Sequence, residues 1–221
     1  MKKILTLLAL TIACSINAQN NTNTGTESLN SITSGTDNSA FGYQSLKSNT
    51  TGSDNTAVGA ESLKLNTEGH WNSAFGYRSL RSNTSGKNNS AFGNLSLESN
   101  SEGVHNSAFG DLALEDNSTG GNNSAFGYGV LKNNTTGDAN TAIGNRSMET
   151  NTTAGGHTAV GYQALRDNNA GSSNTGVGYQ VLAYNNSGNK NVATGHTAMR
   201  NNTSGSDNTA TGWRALYNNT T

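Results

Sequence analysis

Asn38-Ser-Ala-Phe-Gly42-Tyr-Gln-Ser-Leu46-Lys-Ser-Asn49-Thr-Thr-Gly52-Ser-Asp54 is the phrase from which this chain is built. It restarts at Asn55, Asn72, Asn89, Asn106, Asn123, Asn140, His157, Asn174, Asn191 and Asn208, so eleven copies run at a constant step of 17 residues. A fixed step of that length marks a repeat architecture, in which each unit buries its apolar side against its neighbours.

With Asn38 as position 1, the columns separate by residue type. Position 5 is Gly and position 12 is Asn in every copy, and position 9 is Leu or Met. Position 3 is Ala except at Gly176, and position 15 is Gly except at Ala154. Position 4 holds the bulk: Phe41, Val58, Phe75, Phe92, Phe109, Phe126, Ile143 and Val160, then Val177, Thr194 and Thr211. Position 10 is mostly charged and position 7 mostly polar.

This alternation has the strand period of two. It predicts an all-β, parallel β-solenoid of about eleven turns, rising ~4.8 Å per turn to a rod of roughly 53 Å. Each turn reads as two short strands, near positions 2–6 and 9–13, joined by a corner and closed by a turn around Thr-Thr-Gly. Positions 4, 6 and 8 are expected to point inward and 3, 5 and 7 outward. The core would then be the position 4 column together with Leu46, Leu63, Leu80 and their equivalents. Asn49, Asn66 and Asn83 suit turns whose amides bond local backbone and can stack as a ladder. Gly52, Gly69 and Gly86 suit turn sites of positive φ. A helical reading is weaker, because Gly and Asn-Thr-Thr-Gly recur in every copy.

The outward columns Ala40, Gly42, Ala57, Gly59, Ala74 and Gly76 would form a strip of small residues. Two readings stay open for it: a tight corner, or the line along which another chain approaches. A thin core favours oligomerisation.

Composition agrees with a rod rather than an ordinary globule. Apolar residues make up 31% and charged residues 12% of 221, and proline is absent. Polarity comes from Asn, Ser, Thr and Gly, which without periodicity would read as disorder. The net charge is −1, with no basic patch for nucleic acid.

The amino terminus has the pattern of a secretory signal: Met1-Lys2-Lys3, an apolar run from Ile4 to Ala13, then small residues up to Ala18. Residues 1–18 are taken as the signal peptide, 19–37 as a degenerate first repeat or linker, and 38–221 as the solenoid. The alternative is lipidation at Cys14, the only cysteine, after Thr11-Ile12-Ala13. The expected location is outside a bacterial cell, secreted or at its surface, with lipid anchoring at an outer membrane as the lesser reading.

Asn55-Thr-Ala-Val-Gly-Ala-Glu-Ser resembles the head repeats of YadA-like trimeric autotransporter adhesins, as do Ala142-Ile-Gly-Asn-Arg-Ser, Ala159-Val-Gly-Tyr-Gln-Ala and Ala40-Phe-Gly-Tyr-Gln-Ser. The phrase is also similar to repeats of secreted bacterial proteins that carry tail-fibre-type domains. The first resemblance implies a left-handed parallel β-roll that trimerises and adheres to surfaces, matrix or glycans. The family turn is about three residues shorter, and no neck, heptad stalk or barrel-forming strands are found here.

Little in the chain suggests chemistry. His70, His105, His157 and His196 fall in four different columns and read as solvated rather than as a metal site. No phosphate loop or nucleophile set is distinguished. No cofactor and no enzymatic activity are expected. Tyr43, Tyr77, Tyr128, Tyr162, Tyr179 and Trp213 share position 6 and read as corner packing, with sugar stacking as the sharper alternative. The leading expectation is an adhesive structural rod. An ice-binding solenoid, suggested by the Thr-rich position 13, and a phage or secretion-type fibre segment are the alternatives.

Overall fold

The computed structural model describes residues 20–221. The expected signal peptide and Cys14 lie outside the described residues. The described chain is a single parallel β-solenoid. Each turn contributes one three-residue strand, from β1 (Thr22–Thr24) and β2 (Ser39–Phe41) to β12 (Thr209–Thr211). The twelve strands stack in chain order in one sheet, and each pairs with the residue 17 positions on, as in Ser39↔Thr56 and Phe41↔Val58. Residues 21–37 form a turn of the same solenoid, because β1 pairs in register with β2.

The strand is short because position 5 ends it. Gly42, Gly59 and Gly76 take φ of 131–135°, a region that side-chain-bearing residues rarely enter. Beyond that corner, positions 7 and 9 adopt left-handed backbone in every copy, as at Gln44 (φ 57°) and Leu46 (φ 48°). Position 17 does the same at Asp54 (φ 58°). The second strand expected near positions 9–13 is therefore absent among the described residues. The segment still bonds between turns. Leu46 N–H donates to Ser62 O (3.1 Å) and Ser48 N–H to Lys64 O (3.0 Å), whereas Gln44 N–H donates back to Thr26 O (3.0 Å). A left-handed residue other than Gly costs roughly 1–2 kcal/mol. Inter-turn hydrogen bonds and the burial of Leu offset that cost, the latter by ~2 kcal/mol per side chain.

The inside of the tube reverses the parity read from sequence at positions 3, 4 and 6, whereas position 8 points inward as expected, with Ser62, Val130 and Val181 buried. Ala40, Ala57, Ala74 and their equivalents are buried, while Phe41, Val58, Phe75, Phe92, Phe109, Phe126, Ile143 and Val160 point outward and are half-buried or exposed. The physical reason is width. Leu46, Leu63 and Leu80 fill the interior as expected together with the position 8 side chains, and on the strand only a methyl group fits beside them. Gly176 demonstrates the fit. A Cβ placed there would lie 2.7 Å from a methyl of Leu165 and 3.0 Å from one of Val181, which have taken the space.

The rest of the core is polar. Position 1 asparagines hand one amide to the next: Asn55 N–H and Nδ2 both donate to Asn38 Oδ1 (3.1 and 3.0 Å), and Nδ2 also donates to Gly69 O (2.8 Å). Position 12 makes a second ladder, in which Asn66 Nδ2 donates to Asn49 Oδ1 (2.6 Å) and Asn83 Nδ2 to Asn66 Oδ1 (2.7 Å). Within each turn the same amide donates to the position 15 carbonyl, as Asn49 does to Gly52 (2.9 Å). Amides can run through a thin core because nearly all of them find partners in the same or the adjacent turn.

Gly52, Gly69 and Gly86 therefore have a different task from the one expected. Their φ is not positive. A Cβ at Gly52 would meet Asn49 Oδ1 and the Gly69 carbonyl, both at 2.4 Å, and Asn66 Nδ2 at 2.7 Å. Glycine here leaves room for the asparagine ladder.

Candidate functional site: the exposed aromatic face

With the parity reversed, the strip of small residues no longer stands open to solvent. The Ala members (Ala40, Ala57, Ala74) are core. The Gly members are filled by their own neighbours: a Cβ at Gly42 would lie 2.6 Å from Gly59 O, and one at Gly59 would lie 2.5 Å from Gly76 O. Glycine is needed there for the close approach of successive turns.

What faces solvent instead is aromatic. Phe75, Phe92, Phe109 and Phe126 stack face to face, with centroids 4.6, 4.7 and 5.0 Å apart and planes within 7° of parallel. Parallel pairing at one fixed register imposes this spacing on any column of like rings. Past Phe126 the column continues as Ile143, Val160, Val177, Thr194 and Thr211, so its apolar character fades toward the last turns.

Across the glycine corner runs the position 6 column, which strengthens where the first one fades. Tyr162, Tyr179 and His196 stack at 5.2 and 4.8 Å, and Trp213 is 71% exposed. Tyr43, Tyr77 and Tyr128 are 45–50% exposed on the earlier turns. Stacked rings cover one another's faces and present edges to water. A sugar needs an open ring face, so the stacked part of the column is poorly formed as a sugar platform.

Charged groups line a separate edge, at positions 7 and 10. Glu61 accepts from Lys64 Nζ (2.9 Å), Arg78 Nε (2.9 Å) and Arg81 Nε (3.1 Å). The Lys64 hydrogen bond first, then those of Arg78 and Arg81, pull its carboxyl down to about 2 against the opposing effect of burial. The position 13 threonines have their hydroxyls engaged: Thr50, Thr67 and Thr84 Oγ1 donate to the carbonyl of the next turn at 3.0–3.1 Å.

Among the described residues no group of three or more His, Cys, Asp or Glu is placed to hold a metal ion. One histidine departs from the solvated reading. His157 is buried in the position 1 column, and burial holds its imidazole below the usual histidine range. The signal for it was its column, where asparagine otherwise stands.

No protein-family model matches the chain, and no curated protein and no solved structure matches it either. The fold and the columns of the solenoid are therefore the ground on which a function is argued.

Proposed function

We propose that the protein is a non-enzymatic structural rod, secreted or displayed at a bacterial cell surface, that works as a homo-oligomer with an adhesive role. The observation that carries this reading is the exposed aromatic face. Eleven large apolar side chains of positions 4 and 6 are 36–71% exposed. At ~200 Å² per aromatic, they leave on the order of 1,000 Å² of apolar surface in two neighbouring columns. Soluble monomers rarely expose a contiguous patch beyond a few hundred Å². A standard interface uses roughly 800 Å² per partner, so a second copy of the same rod is a sufficient cover.

The resemblance to trimeric adhesin heads favours three copies around this face. It also supports an extracellular surface, matrix or glycan as the target, as does the signal-like amino terminus. The charged edge with Glu61, Arg78 and Arg81 would then stay wet.

Light scattering on the size-fractionated protein tests the assembly. A trimer is expected for the natural chain. Phe75→Ser/Phe92→Ser/Phe109→Ser should shift it toward monomer with its circular dichroism unchanged. A natural chain that runs as a monomer at micromolar concentration overturns the oligomeric part. Failure to bind immobilised matrix proteins or glycans, by a chain that does assemble, overturns the adhesive part.

A further inference from the structure

Two exceptions to the repeat fall three residues apart. Ala154 replaces the position 15 glycine, and His157 replaces the position 1 asparagine. Two kinds of bond fail together, and a third contact changes, at this junction of the seventh and eighth copies.

The first loss is in the position 12 ladder. Every rung from Asn49 to Asn219 is made at 2.5–2.9 Å, except that from Asn168 to Asn151. Asn168 Nδ2 instead lies 3.0 Å from His157 Nε2, and Asn151 Oδ1 is left buried with no partner. At the other position 15 sites a Cβ would collide with the position 12 amides, as Gly52 shows. Ala154 carries that Cβ. A buried polar atom left unpaired is rare and costly.

The change is in the position 1 ladder. Asn140 Oδ1 accepts the backbone N–H of His157 (3.1 Å), and His157 Nδ1 accepts that of Asn174 (3.1 Å), as an asparagine Oδ1 would. The amide-to-amide rung is not made here, as it is not at Asn123 and Asn140, whose Nδ2 groups donate only to Gly137 O and Ala154 O. Both its nitrogens face N–H donors, while a neutral imidazole has one acceptor nitrogen and a protonated one has none.

The second loss is in the backbone. Elsewhere the N–H groups of positions 13–15 converge on the position 13 carbonyl of the following turn, as Thr50, Thr51 and Gly52 do on Thr67 O at 3.1–3.2 Å. Every other junction keeps at least one such bond to that carbonyl or the equivalent one. Among the described residues, Thr152, Thr153 and Ala154 make none to Asn169.

We propose that the Ala154–His157 junction is a weak joint built into the rod, at which acid opens the stack so that the turns before and after it melt as separate units. In a solenoid each turn touches only its neighbours, so one weakened interface divides the cooperative unit. His157 supplies the trigger. Its ring is met by Asn140 of the preceding turn, Asn168 and the Gly171 carbonyl of its own turn, and Asn174 of the following one. None of these groups titrates or carries a charge. Burial disfavours the imidazolium, so the folded joint is fully stable above about pH 6.5 and weakens as pH falls from there through the lowered folded value.

Hydrogen exchange on the full chain, corrected for intrinsic rates, tests the joint at pH 7.5 and pH 5. Amides of residues 152–154 are expected to be ~10-fold or more less protected than residues 84–86 at pH 7.5, with the gap widening at pH 5. Ala154→Gly/His157→Asn should restore protection and remove the widening. His157→Asn alone should remove only the widening. Uniform protection along the natural chain overturns the joint. A widening that persists in His157→Asn overturns the trigger.

Discussion

Two adjacent residues of one strand have opposite fates. Ala91 is buried, and Phe92 beside it stands half in solvent against Phe75 and Phe109. Hydrophobicity alone ranks them the other way round. The difference shows that the interior is limited by width: it admits a methyl, a leucine, a small position 8 side chain and two amides per turn, and the bulk goes outside. The two faces therefore do different work. The inner one holds a turn on its neighbours, and the outer one is free to hold other molecules.

The contrast predicts graded effects. The largest loss is expected on the inside. Leu97→Ala, at a fully buried site, should cost about 2–5 kcal/mol in urea unfolding, because the neighbouring turns limit collapse into the gap. Asn117→Ala should cost about 1–3 kcal/mol, since Asn100 Oδ1 loses its donor and Asn134 Nδ2 its acceptor. Ala91→Val adds only two carbons but overfills the tube, with about 1–3 kcal/mol lost.

Phe92→Ser on the outer face removes more carbon than any of these changes. It should cost the isolated rod only about 1 kcal/mol, the worth of its two stacking contacts, and act mainly on assembly. Equal losses for Ala91→Val and Phe92→Ser in a monomeric background would break the comparison. The smallest effect belongs to the charged edge. Glu61→Gln should cost about 1 kcal/mol at neutral pH. The Glu61 contribution is full above the ordinary carboxylate value and lost as pH falls through about 2. The variant should flatten the acid limb of a melting-temperature profile by that amount.

Much of this was legible in the repeat. The period, the parallel stack, the leucine column and the asparagine ladder follow from residues that recur at Leu46, Asn49 and their equivalents. The orientation of the strand was not legible from size, because a two-residue period looks the same from either side. A better cue was available in the variation along each column. Position 4 drifts from Phe through Val and Ile to Thr, as an exposed site can, whereas position 3 stays Ala at ten of eleven turns. The task of the position 15 glycines was hidden for another reason. It depends on an asparagine three residues back and another in the next turn, a relation that no local turn rule contains.

By itself, then, the sequence determined that the chain repeats and stacks, since a constant step of 17 residues forces each residue onto its own equivalent. Which face of the strand looks inward, why Gly52 must lack a side chain, and where the stack is weakest were decided only by the tertiary structure. Those answers depend on the width of a closed turn and on hydrogen bonds between turns, and both come into being when one copy is laid on the next.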